Sequence, residues 1–355
     1  MNLYRGISLL FVVFLVINTV ACTSLSYYAH SIYGQFEILQ KRELIDAVLD
    51  HDELPESMSI QLAKTRQIRD FASSELGLPD NDSYRDYVDL KRDHVVWNVF
   101  AAPELSLEPL QWCFLIAGCL KYRGYFSEHA AHEYAQKLKN QGYDVFVGGV
   151  AAYSTLGWFD DPVLNTMLRW NETHLAKVIF HELAHQKIYI KDDTEFNEAF
   201  ADTVALVGVN RWLEKFGTSL SLKDFKLKQA REDTFVDLVL EYRNRLDSIY
   251  KSSGNDAIKR TQKAILLDQM KKEYATMRAD WGNYDVYDAW FDNDLNNAKL
   301  MAVVIYRDYL PGFSKLLAKT NNDLNAFYTL VEQLGHCTAK TRRLILIAGQ
   351  TQFEC

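Results

Sequence analysis

Phe180-His181-Glu182-Leu183-Ala184-His185-Gln186 ends an apolar run that begins at Leu175. Such a run reads as helix, and on a helix residues four apart share a face. His181 and His185 can therefore present two imidazoles to one ion, with Glu182 at the edge of that face. A carboxylate there can take a proton from a metal-held water. The bland alternative is a buried helix with two hydrogen-bonded histidines, and the sequence downstream decides between them.

Downstream stands Phe196-Asn197-Glu198-Ala199-Phe200-Ala201-Asp202. A catalytic zinc takes three protein ligands and keeps one position open. Glu198 lies thirteen positions after His185, beyond the helix breaker Lys191-Asp192-Asp193-Thr194. That length suits a helix–turn–helix hairpin that brings Glu198 to the two histidines. Asp202 is one turn further on the same face, where it can hold the second nitrogen of a ligand histidine. Two buried acids one turn apart need such a partner, because unpaired charge is costly inside a protein.

The chain has 355 residues, 48% hydrophobic and 24% charged, enough for one large folded domain or two small ones. A net charge of -8 with no long basic run excludes nucleic acid as the main partner. Residues 1–21 stand apart from the fold. Arg5 precedes the apolar run Ile7 to Ile17, and Thr19-Val20-Ala21 leads into Cys22. This is a secretory leader ending at a cysteine, and it resembles the bacterial lipobox, whose cysteine becomes a lipidated N-terminus. The expected location is the cell envelope, lipid-anchored and facing the periplasm; Thr23 after the cysteine resembles lipoproteins sent on to the outer membrane, and inner and outer membrane both stay open. An uncleaved anchor helix is the alternative, although the run is short for spanning. Cys113, Cys119, Cys337 and Cys355 remain, an even number in an exported chain. Of three pairings, the short loops favour Cys113–Cys119 and Cys337–Cys355.

The expected class is α+β, with a small mixed sheet upstream of a predominantly helical part. Residues 22–90 read as a helical N-terminal segment. Within it, Tyr27 to Gln40 is an amphipathic stretch leaving the anchor, Ser57 or Ser59 caps a helix to Leu76, and Ser83 caps a short helix. Residues 91–220 read as sheet plus metal-binding helices. Strands are expected at His94–Ala102, Leu110–Ala117, Tyr122–Phe126 and Tyr143–Val150. Ser127 caps a polar helix, a helical linker follows Pro162, and Thr173 caps the helix of the opening motif. Residues 221–355 read as helical, beginning with a charged pair at about 222–252 and 255–280.

The two motifs together, His-Glu-x-x-His and Asn-Glu-x-x-x-Asp, resemble the gluzincin metallopeptidases. The chain is most similar to a bacterial family of predicted aminopeptidases, many of them lipoproteins. Trp97-Asn98-Val99-Phe100-Ala101-Ala102-Pro103-Glu104-Leu105-Ser106 carries that likeness, with Gly148-Gly149-Val150 and Ala152-Tyr153-Ser154-Thr155-Leu156-Gly157-Trp158-Phe159-Asp160-Asp161-Pro162. The resemblance implies one Zn2+ held by His181, His185 and Glu198, with Glu182 as general base on a zinc-bound water and a peptide as substrate. An oxyanion donor would come from Tyr153, Tyr189 or Tyr306. Gly148 and Gly149 would let a substrate backbone approach a strand edge, and Asn297, beside Asn296, is a further cleft candidate. Aminopeptidase gluzincins carry a glutamate near this strand for the substrate amino group. Gly148 to Ser154 holds no acid, which leaves Asp160, Asp161, Asp192 and Asp193 nearby. The activity expected is that of an aminopeptidase. The alternatives are a zinc endopeptidase, a cell-wall peptide amidase, or a non-catalytic zinc-binding envelope lipoprotein.

Overall fold

The computed structural model describes residues 27–114, 118–155, 157–292, 294–304, 309–348 and 355. The leader, Cys22 and Tyr306 lie outside them. Helix α1 (27–40) leads to β1 (Glu43–Leu44), α2 (Ile45–Leu49) and α3 (Glu56–Leu76). Pro55 occupies the cap position of α3 without a side-chain cap. Ser57 and Ser59 therefore stand inside the first turns and do not cap it. Ser83 starts no helix: the chain turns through Tyr84 and enters strand β2 (Asp86–Val88).

Strands β3 (Val96–Pro103), β4 (Trp112–Phe114), β5 (Gly118–Leu120), β6 (Arg123–Tyr125), β7 (Tyr143–Val150) and β8 (Val163–Leu164) complete the set, with α4 (Glu128–Asn140) between β6 and β7. They do not form one sheet. β1-β2-β8 is a mixed sheet, β6-β3-β7 is antiparallel, and β4-β5 is a separate hairpin across the Cys113–Cys119 disulfide. Of the expected strand Leu110–Ala117, Trp112–Phe114 is strand, Leu110 and Gln111 are not, and 115–117 lie outside the described residues; β5 follows as a further strand. Val163–Leu164 is a strand paired with β2, where a helical linker was expected.

Alternation decides which way the antiparallel sheet faces. Trp97, Val99, Ala101 and Val145 pack on Ala131, Ala135 and Leu138 of α4. The opposite set, Val96, Asn98 and Phe100 with their partners Val150, Gly148 and Phe146, turns away from α4. Trp97 sits opposite Tyr125 of β6 and Asn98 opposite Gly124.

The helices are α5 (Glu172–Lys187), α6 (Thr194–Phe216), α7 (Ser219–Lys251), α8 (Asp256–Asp280), α9 (Asp288–Asp292), α10 (Asn297–Val304), α11 (Leu310–Lys319), α12 (Leu324–Gly335) and α13 (Ala339–Ala348). The mixed α+β class is therefore as expected, with helix forming 62% of it and most of that in the second half. Around α5 and α6 lies the main core, built with α3 and α11 to α13. Gly208 of α6 is needed there: a Cβ would come within 2.6 Å of the Phe180 ring and 2.7 Å of Leu76. A second core fills the α7–α8 hairpin with Phe235, Val239, Leu246 and Met270. Cys337 and Cys355 are joined as the second disulfide. Among the described residues, no helix is long and apolar enough to cross a membrane.

Candidate active site

Helix α5 starts at Asn171, whose side chain accepts from the His174 backbone N–H at 2.9 Å; Thr173 falls inside the first turn and is not the cap. Leu175, Ala176, Ile179, Phe180, Leu183 and Ala184 are fully buried, so these positions fix the face turned to the core. What remains on the other side is His174, Lys177, Val178, His181, Glu182 and His185, and all six line one cleft.

Between α5 and α6 the chain reverses around Asn197. This side chain accepts from the Ile190 N–H at 2.7 Å and donates to the Ile190 carbonyl at 2.7 Å. Asp193 caps α6 through the Phe196 N–H, and its other oxygen holds the buried guanidinium of Arg342 at 2.6 Å. Asp192 accepts from the Cys119 N–H at 2.8 Å, which ties the β4-β5 hairpin to this turn. Both aspartates are thus engaged structurally. Asp161 is buried and accepts from the Thr155 N–H at 2.8 Å and the Ser154 hydroxyl at 3.4 Å.

The reversal brings Glu198 over the two histidines. Glu198 Oε2 stands 3.2 Å from His181 Nε2 and 3.6 Å from His185 Nε2, and the two Nε2 atoms are 3.1 Å apart. Around a tetrahedral zinc with ligands at 2.0–2.1 Å, donor atoms are separated by about 3.3 Å. The donor set, two imidazoles and one carboxylate, suits that ion, and all three atoms lie within 4.8 Å of one another. His181 Nδ1 is 3.1 Å from Asp202 Oδ1. An N–H at Nδ1 donating to that carboxylate leaves Nε2 with a free lone pair. His185 Nδ1 is buried with no hydrogen-bond partner.

Electrostatics separates the two glutamates. Burial pushes the Glu198 carboxyl up, but the adjacent His185 and His181 outweigh it and hold it down at about 2. Burial also pushes Glu182 up; there the charges of His181 and His185 offset only part of it, and the charge of Glu198 adds to the rise. One glutamate is a persistent anion suited to a cation, and its neighbour accepts and releases a proton more readily.

The cleft, about 720 Å³, is also lined by Val96, Asn98, Gly124 and the segment from Gly149 to Ser154, and by Tyr27, Phe114, Leu120 and Tyr122. Such a volume accommodates a peptide of a few residues. Gly149 lines it, whereas Gly148 does not. Asn297 is not brought to the cleft. It is fully buried, accepting from Tyr250 at 2.8 Å and donating to the carbonyls of Pro103, Glu104 and Ser106. Its polarity serves to seat α7 and α10 on the end of β3.

Tyr153 and Tyr189 both line the cleft. Tyr153 stacks edge-on against Phe126 at 5.4 Å, and burial with the nearby Asp161 charge pushes its hydroxyl up to about 12. The Tyr189 ring is 6.4 Å from that of His185. A third tyrosine, Tyr122, was not singled out by the sequence. It lines the cleft, with its ring 5.6 Å from that of Phe100; burial raises its hydroxyl, and the charges of Glu198, Tyr189 and Glu182 raise it further. No motif marks it; it reaches the cleft only because the chain leaves the disulfide hairpin there.

A protein-family model described as "Putative aminopeptidase" matches residues 26–346. No curated protein and no solved structure matches the chain. The chain belongs to this putative-aminopeptidase family, and the family name points to peptide hydrolysis.

Proposed function

We propose that this chain is a zinc peptidase of the cell envelope, with its active centre at His181, Glu182, His185 and Glu198. The observation that carries the reading is the convergence of three suitable donors beside a partly buried, protonatable carboxylate within a peptide-sized cleft. His181, His185 and Glu198 would hold the ion, with Asp202 fixing the tautomer and orientation of His181. A zinc ion bound there supplies Lewis acidity to a water and to the scissile carbonyl. Glu182 takes the proton of the attacking water and returns it to the leaving nitrogen; its raised affinity for protons suits both halves of that transfer. Tyr122 and Tyr189, which line the cleft, would supply hydroxyl donors for the oxyanion. The backbone from Gly149 to Ser154 offers the substrate chain hydrogen-bond partners along one wall.

Removal of amino-terminal residues is the specificity that the family name favours. Among the described residues, the carboxylates lining the cleft are Glu182, Glu198 and Asp202, of which Glu198 belongs to the candidate ligand set and Asp202 pairs with His181. An amino-terminal substrate would therefore be held by Glu182 itself or by neutral groups such as Asn98. Endopeptidase or cell-wall amidase action uses the same metal chemistry. Lipidation at Cys22 would hold the enzyme at the membrane, facing the periplasm.

The test is Glu182→Gln. It keeps bound zinc and loses hydrolysis of a peptide library, whereas a non-catalytic zinc-binding lipoprotein would show no hydrolysis in either form. Equal turnover in wild type and variant would remove Glu182 from the mechanism. Running the library with free and with blocked N-termini assigns the specificity, since cleavage of blocked peptides is incompatible with an aminopeptidase.

A further inference from the structure

Helix α1 is apolar on two opposite faces, and the protein covers only one of them. Inward, Tyr27 packs against Phe114 and Tyr125, with the Arg123 guanidinium 4.0 Å from its ring centre. Gly34 lies so close to Phe126 that a Cβ would fall 2.2 Å from the ring, and Ile38 is buried in the main core. Positions 27, 34 and 38 thus define the docked seam. At 100° per residue, Tyr28, Ile32, Tyr33 and Phe36 fall on the opposite side. These four are 40%, 69%, 72% and 53% exposed.

We propose that this outer face of α1 lies in the membrane–water interface, with Ile32 and Phe36 in the acyl boundary and the tyrosines at headgroup level. A helix apolar all round is a buried helix, and a solvated outer face would carry charge. Here the charged groups lie at the edge and end of α1, where Glu37 pairs with Lys41 and Arg92. Tyr beside aliphatic and Phe side chains is the composition of a membrane interface. The bilayer is the occupant to expect because of what precedes the helix. The apolar run Ile7 to Ile17 and Cys22 both lie just upstream of Tyr27. From Cys22, the few intervening residues reach at most about 3.6 Å each, so a lipidated Cys22 keeps α1 at the membrane surface.

The inference rests on the anchoring proposed above and adds an orientation to it. Tyr27 lines the cleft and Tyr28, the next residue, faces the bilayer, so the cleft lies beside the membrane. Its substrates would then be peptides presented at the lipid surface.

Site-directed spin labelling of the full chain tests this, in vesicles of phosphatidylethanolamine and phosphatidylglycerol. Lipidation and the two disulfides leave no free thiol, so Ile32→Cys, Phe36→Cys and the control Ser253→Cys each give one labelled site; all three positions are exposed. Labels at 32 and 36 should favour oxygen over a water-soluble nickel chelate, placing them roughly 5–10 Å below the headgroups. The label at Ser253 should show the reverse. A chain that floats with vesicles but gives water-like accessibility at both positions overturns the inference and leaves the anchoring intact. Protection from both reagents marks a protein partner or a second copy, and also overturns it. A chain that does not float overturns the anchoring and the inference together.

Discussion

Asn197→Ala isolates the contribution of the turn between the two helices that carry the candidate metal ligands. The side chain makes two 2.7 Å hydrogen bonds to one residue, Ile190, one to its N–H and one to its carbonyl. Truncation removes both and leaves the Ile190 N–H unpaired in a partly buried turn, while the Ile190 carbonyl keeps the Asp193 N–H at 3.3 Å. Each lost bond costs about 1 kcal/mol, and the unsatisfied donor adds to it, so about 2–4 kcal/mol of stability should go. Glu198 is the next residue, so slack in the turn passes directly to the third candidate ligand. Losing a group that positions a ligand typically weakens metal binding by roughly 10–100-fold. Urea unfolding in the presence of a chelator reads the first effect, and competition against a chromophoric zinc chelator reads the second. Asn197→Asp serves as a control, since it retains an acceptor for the Ile190 N–H but cannot donate to the carbonyl. If the alanine variant unfolds at the wild-type urea midpoint and binds zinc with unchanged affinity, the turn does not place Glu198.

Burial raises the Asp161 carboxyl to about 7, against the opposing hydrogen bonds from Thr155 and Ser154. The folded state therefore holds this proton more tightly than the unfolded state. The associated stability is complete below about pH 4 and is lost as pH rises through 7, about 4 kcal/mol at most. Asp161→Asn should remove that slope relative to wild type in urea midpoints taken between pH 4.5 and 8; parallel profiles would contradict it. Arg342→Met strands the buried Asp193 carboxylate, and should cost about 3–5 kcal/mol in denaturant unfolding. Asp193→Asn combined with it should recover part of that loss. Tyr122→Phe should lower kcat by roughly 10²-fold if its hydroxyl stabilises the oxyanion, with zinc content unchanged; an unaltered kcat would leave Tyr189 as the donor to test.

The helices of the site were legible because their signals are redundant. In α5 the apolar positions Leu175, Ile179 and Leu183 and the ligand positions His181 and His185 both specify a face, and the two specifications agree. The same holds for Phe200 and Val204 against Glu198 and Asp202 in α6. Caps were less legible because neighbouring polar residues compete. Asn171 wins over Thr173 at α5, and α3 starts behind Pro55 with no side-chain cap at all. Strands of two or three residues, such as Glu43–Leu44 and Val163–Leu164, are too short to display alternation. Their pairing comes from tertiary contacts that no local pattern encodes. Asn297 shows the limit for polar residues. A buried asparagine that gathers three carbonyls and one that contacts a ligand look alike in sequence, and only packing tells them apart.

Strand β3 turns alternate side chains to two hydrophobic cores: Val96 packs in the cluster around α5 and α6, and Trp97 in the one beneath α4. The strand is buried over most of its length. A substitution on either face of β3 therefore carries through to the cleft wall at Val96 and Asn98, because the strand has no solvated face along which to relax.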